Sequence, residues 1–301
     1  MPEKRNVGVV GVGLMGMAVA KRLLQCGYAV RTRDIRAEAD AEAREAGATV
    51  CDSPAALAAD CRVVITLVVD EAQTEEVVFG VRGAAETLAP DGVLMLSSTV
   101  SPTFVESVAG RLAERGLAMV DAPLSGGPAR AQAGTVSMMI AGADSALARA
   151  HDVLDAMSDA HFRMSERPGD GARMKLVNNM LAGVNLAGSC EAMALGVRLG
   201  LEPQRVYDVV SASSGGSWIF GDRMPRVLAG DYRPKAATTL LTKDVTLALG
   251  AAREAGFPAP VAAAALQVYL ATVALGHGAE DDAALVKYYQ AMTGIDLPKG
   301  I

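Results

Sequence analysis

The chain has 301 residues, 51% apolar and 21% charged, with 28 Lys and Arg against 34 Asp and Glu for a net charge of −6. This is a globular composition, which excludes a disordered chain, and the length predicts about two domains. The acidic balance argues against a nucleic-acid or membrane-surface binder, which needs a basic face.

Cys26, Cys51, Cys61 and Cys190 show no CxxC spacing, and three histidines form no zinc-like cluster. No metal is expected, and the cysteines read as reduced packing thiols of a cytoplasmic protein. Met1–Asn6 carries no apolar leader-like run before the first strand. Strands are predicted at Asn6–Gly11, Tyr28–Arg33, Arg62–Val69, Gly92–Ser97, Ala118–Asp121 and Val136–Ala141. Helices are predicted between them at Met15–Cys26, Ala37–Ala46, Pro102–Arg115 and Ser145–Met157. Such alternation means a parallel sheet with helices on both faces.

The pattern changes after Met164. Ser165–Asp170 has the composition of a linker, and every later periodic segment is helical. The expected domains are therefore residues 1–165 and 166–301. Ala172–Leu199 reads as one long helix with small residues all round, buried between domains or between subunits. Pro258–Gly276 is uncharged and rich in alanine, and reads as a buried helix, not a membrane span.

Gly11-Val12-Gly13-Leu14-Met15-Gly16 lies between the first strand and the first helix. Gly11 permits the tight turn, Gly13 lets a pyrophosphate approach the backbone, and Gly16 lets helix and strand pack closely. Asp34 ends the second strand 18 residues after Gly16, where an acid binds the ribose hydroxyls of a dinucleotide. It favours NAD; Arg31, Arg33 and Arg36 keep NADP open as the alternative. Leu14 and Met15 of the loop, and Val68 and Val69 after the apolar strand, are counted with the cofactor site.

Three more motifs follow. Asp121-Ala122-Pro123-Leu124-Ser125-Gly126-Gly127 holds a turn that can offer a hydroxyl and backbone N–H groups to a carboxylate. Gly171, Lys175 and Asn179 are spaced i, i+4, i+8 and share one helix face, with room, an ammonium and an amide in line. Lys243-Asp244 is the third.

With Ser97-Ser98-Thr99-Val100-Ser101-Pro102, these motifs resemble, in order and spacing over nearly the whole chain, the β-hydroxyacid dehydrogenases (3-hydroxyisobutyrate dehydrogenase and relatives). The resemblance implies a Rossmann-type α/β domain and an all-α C-terminal domain, joined by a long interdomain helix. It also implies a homodimer or homotetramer and a small hydroxy-acid substrate, with no nucleic-acid or membrane partner. Lys175 is then the catalytic acid/base, Ser125, Gly126, Gly127 and Asn179 hold the substrate, and Thr99 and Lys243 lie beside the cofactor. The Gly215–Pro225 segment, with Trp218 as a substrate contact, and Ala72-Gln73-Thr74-Glu75 look like the L-threonate dehydrogenase branch. Asn185, Asp222 and Arg223 would be polar partners of a polyhydroxylated acid. A 2-hydroxy-3-oxopropionate (tartronate semialdehyde) or other semialdehyde reductase of the family, a non-catalytic dinucleotide-binding module and an imine reductase are the alternatives.

Overall fold

The computed structural model describes residues 6–298, so the opening Met1–Arg5 stretch lies outside the described residues. Two compact units are distinguished, Met1–Lys175 and Leu176–Ile301.

The first unit alternates strands and helices. In chain order these are β1 (Asn6–Val10), α1 (Leu14–Gln25), β2 (Ala29–Arg33), α2 (Ala37–Glu45), β3 (Thr49–Val50), α3 (Pro54–Ala58), β4 (Val63–Thr66) and α4 (Glu71–Phe79). Next come β5 (Val93–Leu96), α5 (Pro102–Glu114), β6 (Ala118–Asp121), β7 (Leu124–Ser125), α6 (Gly127–Ala133), β8 (Ser137–Ala141), α7 (Asp144–Met157) and β9 (Ala160–Ser165). The strands form one sheet in the order β3-β2-β1-β4-β5-β6-β8-β7, with β9 beside β8. It is parallel from β3 to β6; β8 then runs antiparallel to β6 and β7 and parallel to β9.

The sheet is covered on both faces. Val63, Ile65, Val93 and Met95 join one apolar cluster, while the alternating Val64, Leu94 and Leu96 join another. Strand residues that point to opposite faces require two such layers, so the strands read as unbroken apolar runs. The helices start where side chains can accept their first amides. Ser53, Asp70 and Ser101 accept from Ala56, Gln73 and Phe104, and Pro54 and Pro102 follow two of these caps. Strand β9 was not expected. Its residues are at best half-buried, so no apolar alternation announces it.

Helix α8 (Asp170–Arg198) runs unbroken through the place where the two units are divided. The second unit adds α9 (Pro203–Ser211), α10 (Trp218–Ala229), α11 (Thr238–Glu254), α12 (Pro260–Thr272) and α13 (Val286–Thr293). Its core gathers Leu186, Met193, Phe220, Met224, Val245 and Tyr269. Inside it lies a buried ion cluster. Arg223 forks onto Asp282, donating from Nη2 to Oδ2 at 3.2 Å, and also meets Asp222; Arg226 approaches Asp281 at 3.2 Å. Burial pushes the Asp282 carboxyl up to about 6, against the pull of Arg223.

The alanine-rich segment corrects one expectation. Of α12, only Ala262, Ala265, Tyr269 and Thr272 are buried, while Val261 and Leu270 are exposed. Alanine gives no large side chain to mark a buried face, so uniform low polarity was mistaken for uniform burial. Helices α8 and α12, the latter with its continuation to His277, are long and apolar enough to cross a membrane by length and composition alone. Helix α8 exposes Val177, Leu181 and Leu195.

Candidate active site

Three glycines shape the turn after β1. Gly11 has φ +87°, donates its N–H to Arg33 O at 2.9 Å, and has no room for a Cβ, which would lie 2.7 Å from Leu67 O. A Cβ on Gly16 would stand 1.9 Å from Gly11 O. Gly13 differs: the nearest atom to its Cβ position is Arg36 Nη2 at 3.7 Å. Gly13 also caps α1 without any side-chain hydrogen bond to the first-turn amides. Those amides and the helix dipole suit a pyrophosphate. Leu14 is exposed and Met15 packs on the core. A cleft of about 340 Å³ opens beside the loop, lined by Gly13, Leu14, Arg36, Glu38, Pro128 and Gln132. A bare glycine over amides without a side-chain cap, bordering this cleft, fits a dinucleotide.

Asp34 is buried just past β2 and is already engaged. Its Oδ1 accepts from Arg36 N at 3.0 Å and Arg36 Nε at 3.1 Å, and its Oδ2 from Arg36 Nη2 at 3.3 Å. Burial works to raise the Asp34 carboxyl, but these bonds and the charge of Arg36 hold it below the usual carboxylate range. Arg33 pairs with Asp40 at 3.2 Å and Arg31 with Asp60 at 2.8 Å. Of the arginines named from sequence, Arg36 is thus the one on the acid. Val68 packs against Gly11, Val69 is exposed beside it, and Thr99 is half-buried after β5.

The segment after β6 makes the second half of this unit's polar constellation. Gly126 and Gly127 have φ +135° and +78°, so the turn after Ser125 takes a shape that side-chain-bearing residues rarely adopt. Arg130 folds back along Gly126 and donates to Thr135 O. Lys175 is only 7% exposed and donates from Nζ to Leu124 O at 2.8 Å, inside the motif named from sequence. Asp121 opens that motif and was given no role from sequence. It is fully buried and accepts the backbone N–H of Gly169 and Ala172. Burial pushes its carboxyl up to about 6, partly offset by those amides.

In the second unit, Asn179 donates from Nδ2 to Asp244 Oδ2 at 2.6 Å and accepts from Asn178 Nδ2 at 3.0 Å. Lys243 lies 3.2 Å from the other Asp244 oxygen. The lysine-asparagine helix motif and the Lys243-Asp244 motif therefore meet, although 65 residues separate Asn179 from Asp244. Trp218 stands apart at the start of α10, 57% exposed, so it anchors no core. Arg223 is drawn onto the buried Asp282 and the exposed Asp222 and is not free to meet a substrate. Its charge carried no sign in sequence of the acids waiting 59 residues away. Among the described residues no cluster of His, Cys, Asp or Glu could hold a metal ion.

Comparison with known proteins gives this arrangement a family. Residues 6–165 match the NAD-binding domain of 6-phosphogluconate dehydrogenase, and residues 169–289 match the NAD-binding domain of NADP-dependent 3-hydroxyisobutyrate dehydrogenase. The chain is 45% identical to an L-threonate dehydrogenase of Cupriavidus necator, over 98% of each chain. It is 38% identical to an L-threonate dehydrogenase of Escherichia coli K12, over 97% of this chain and 96% of that one. A crystal structure of 3-hydroxyisobutyrate dehydrogenase from Salmonella typhimurium superposes with a TM-score of 0.89 at 36% identity, covering 94% of this chain and 99% of that one. Both units thus fall under one family along their length, and the chain belongs to the β-hydroxyacid dehydrogenases, enzymes that oxidise small β-hydroxy acids with NAD(P).

Proposed function

We propose that the enzyme oxidises a short polyhydroxylated acid of the L-threonate type, with NAD preferred to NADP. One observation carries the substrate reading: 45% identity to an L-threonate dehydrogenase over 98% of both chains. The bound dinucleotide supplies the hydride acceptor. In the loop that Gly11 and Gly16 shape, Gly13, Leu14 and Met15 would hold its pyrophosphate, Asp34 its adenosine ribose, and Val68, Val69, Thr99 and Lys243 would border it. Ser125, Gly126 and Gly127 receive the substrate carboxylate. Lys175 takes the hydroxyl proton as general base, with its head positioned by the Leu124 carbonyl in a buried place. Asn179, its amide fixed by Asp244, bonds the reacting oxygen, and Trp218 borders the substrate.

We further infer a domain division at residues 165 and 166, a homodimer or homotetramer, and a cytoplasmic enzyme with no nucleic-acid or membrane partner. The exposed apolar residues of α8 and α12, among them Val177, Leu181, Val261 and Leu270, support oligomerisation. 3-Hydroxyisobutyrate is the second reading, favoured by the structural match to the Salmonella enzyme of that name. Comparing kcat/KM for L-threonate and 3-hydroxyisobutyrate, each with NAD and NADP, decides among these. L-Threonate with NAD should lead; a tenfold advantage for 3-hydroxyisobutyrate would overturn the substrate, and a lead for NADP the cofactor preference.

A further inference from the structure

Asp121 closes β6 with no exposure to solvent. A carboxylate in such a place is costly unless hydrogen bonds compensate it. Its Oδ2 accepts from Gly169 N at 2.8 Å and Ala172 N at 3.0 Å; its Oδ1 has no partner among the described residues. The two donors flank the start of α8, where amides lack intrahelical acceptors. A local Ser, Thr, Asn or Asp normally satisfies such amides at the helix entrance. Here Gly169 stands before the helix, and the acceptor comes from 48 residues upstream, at the end of a core strand.

Gly171 makes that approach possible. A Cβ there would lie 2.9 Å from Asp121 Oδ2 and 2.6 Å from Met139 O. Lys175 is three residues past Ala172, and its Nζ bonds to Leu124 O, three residues past Asp121. The end of β6 and the start of β7 therefore grip α8 in turn, Asp121 at its first amides and Leu124 at the lysine head. We propose that Asp121 is a positioning residue of the reaction, seating the first turn of α8 on the end of β6 and so fixing where Lys175 presents its amine. This rests on Lys175 as the acid/base. An error of about 1 Å in such a group costs on the order of 10²-fold in rate.

The test joins steady-state kinetics to hydrogen exchange of the amides from 169 to 175, in Asp121→Ala, Asp121→Asn, Gly171→Ala and Lys175→Met. Asp121→Ala should lose protection in that segment and lower kcat by about 30- to 100-fold, with the KM for NAD within about twofold of the parent. Asp121→Asn keeps an oxygen for the same two amides and should recover most of kcat. Gly171→Ala leaves Asp121 intact, wedges a methyl beneath it, and should reproduce the loss of kcat. Parental kcat in Asp121→Ala, or an Asn variant no better than the Ala variant, overturns the inference. If Asp121→Ala does not fold, Gly171→Ala decides, and parental kcat there overturns it. Parental turnover in Lys175→Met would remove the acid/base reading and this inference with it. An inactive Lys175→Met beside a fully active Asp121→Ala would remove the inference alone.

Discussion

Asp121 and Lys175 in the sheet unit and Arg223 and Asn179 in the helical unit are held by different means. In the sheet unit the backbone does the holding: Asp121 is met by amides of Gly169 and Ala172, and Lys175 by the carbonyl of Leu124. In the helical unit side chains hold one another: Arg223 by Asp282, and Asn179 by Asp244. Backbone partners are always present wherever a helix or strand ends, so a polar residue there loses little when its neighbours drift. A side-chain pair is a contract between two positions, and changing one leaves the other buried and unmatched.

That contrast predicts the largest effect in the helical unit. Arg223→Met strands Asp282 without its cation and should cost about 3–5 kcal/mol of unfolding free energy, read from denaturant melts. A loss near zero would mean that the cluster relaxes like a surface pair, and the contrast fails.

The sheet unit should instead reveal its buried acid through pH. The Asp121 carboxyl is raised from 3.8 to about 6 in the folded protein. Folding therefore favours its protonated form. The stability it contributes is complete below about pH 3.8 and is lost as pH rises through about 6. At 1.36 kcal/mol per pH unit, the loss approaches about 3 kcal/mol. Asp121→Asn removes the titration, so the stability of the parent relative to this variant should fall between pH 4 and 7. A constant difference across that range would show that Asp121 does not titrate there.

Catalysis sharpens the same contrast. Lys175→Met should lower kcat by about 10²-fold or more while NAD affinity measured by fluorescence titration stays within about twofold. A matching loss of NAD affinity would place the lysine's role in binding.

These effects differ in how far the sequence announces them. The places of Gly11–Gly16 and Asp34 in the fold were legible because each sits at a fixed distance from a strand end. The apolar runs of β4 and β5 announced a doubly covered sheet for the same reason. The place of Lys175 on a helix with Gly171 and Asn179 was legible through the i, i+4 spacing, but its carbonyl partner was not, since every residue carries a carbonyl. The Asn179–Asp244 and Arg223–Asp282 pairs span 65 and 59 residues, and no local pattern encodes a pairing across such a gap. Arg223, offered with Asp222 and Asn185 as a polar partner for a polyhydroxylated acid, is instead engaged by Asp282.

The smallest effect falls on a site where both habits coincide. Asp34 is a strand-end acid, yet a side chain engages both its oxygens. Asp34→Ser should raise kcat/KM for NADP relative to NAD by about tenfold, equivalent to about 1.4 kcal/mol, because repulsion of the 2′-phosphate goes while Arg36 remains. An unchanged ratio would mean that Arg36 already masks the acid in the parent.

The glycine loop has a historical consequence. Gly11 and Gly16 are locked by their own fold: side chains there would strike Leu67 O and Gly11 O whether or not anything is bound. A descendant that abandoned the reaction would still be obliged to keep both, so two-thirds of the fingerprint testifies only to how a helix lies on a strand. Gly13 alone has open space where a side chain would go, with Arg36 at 3.7 Å as its nearest neighbour. Drift at that single position is what would reveal a lineage released from its nucleotide.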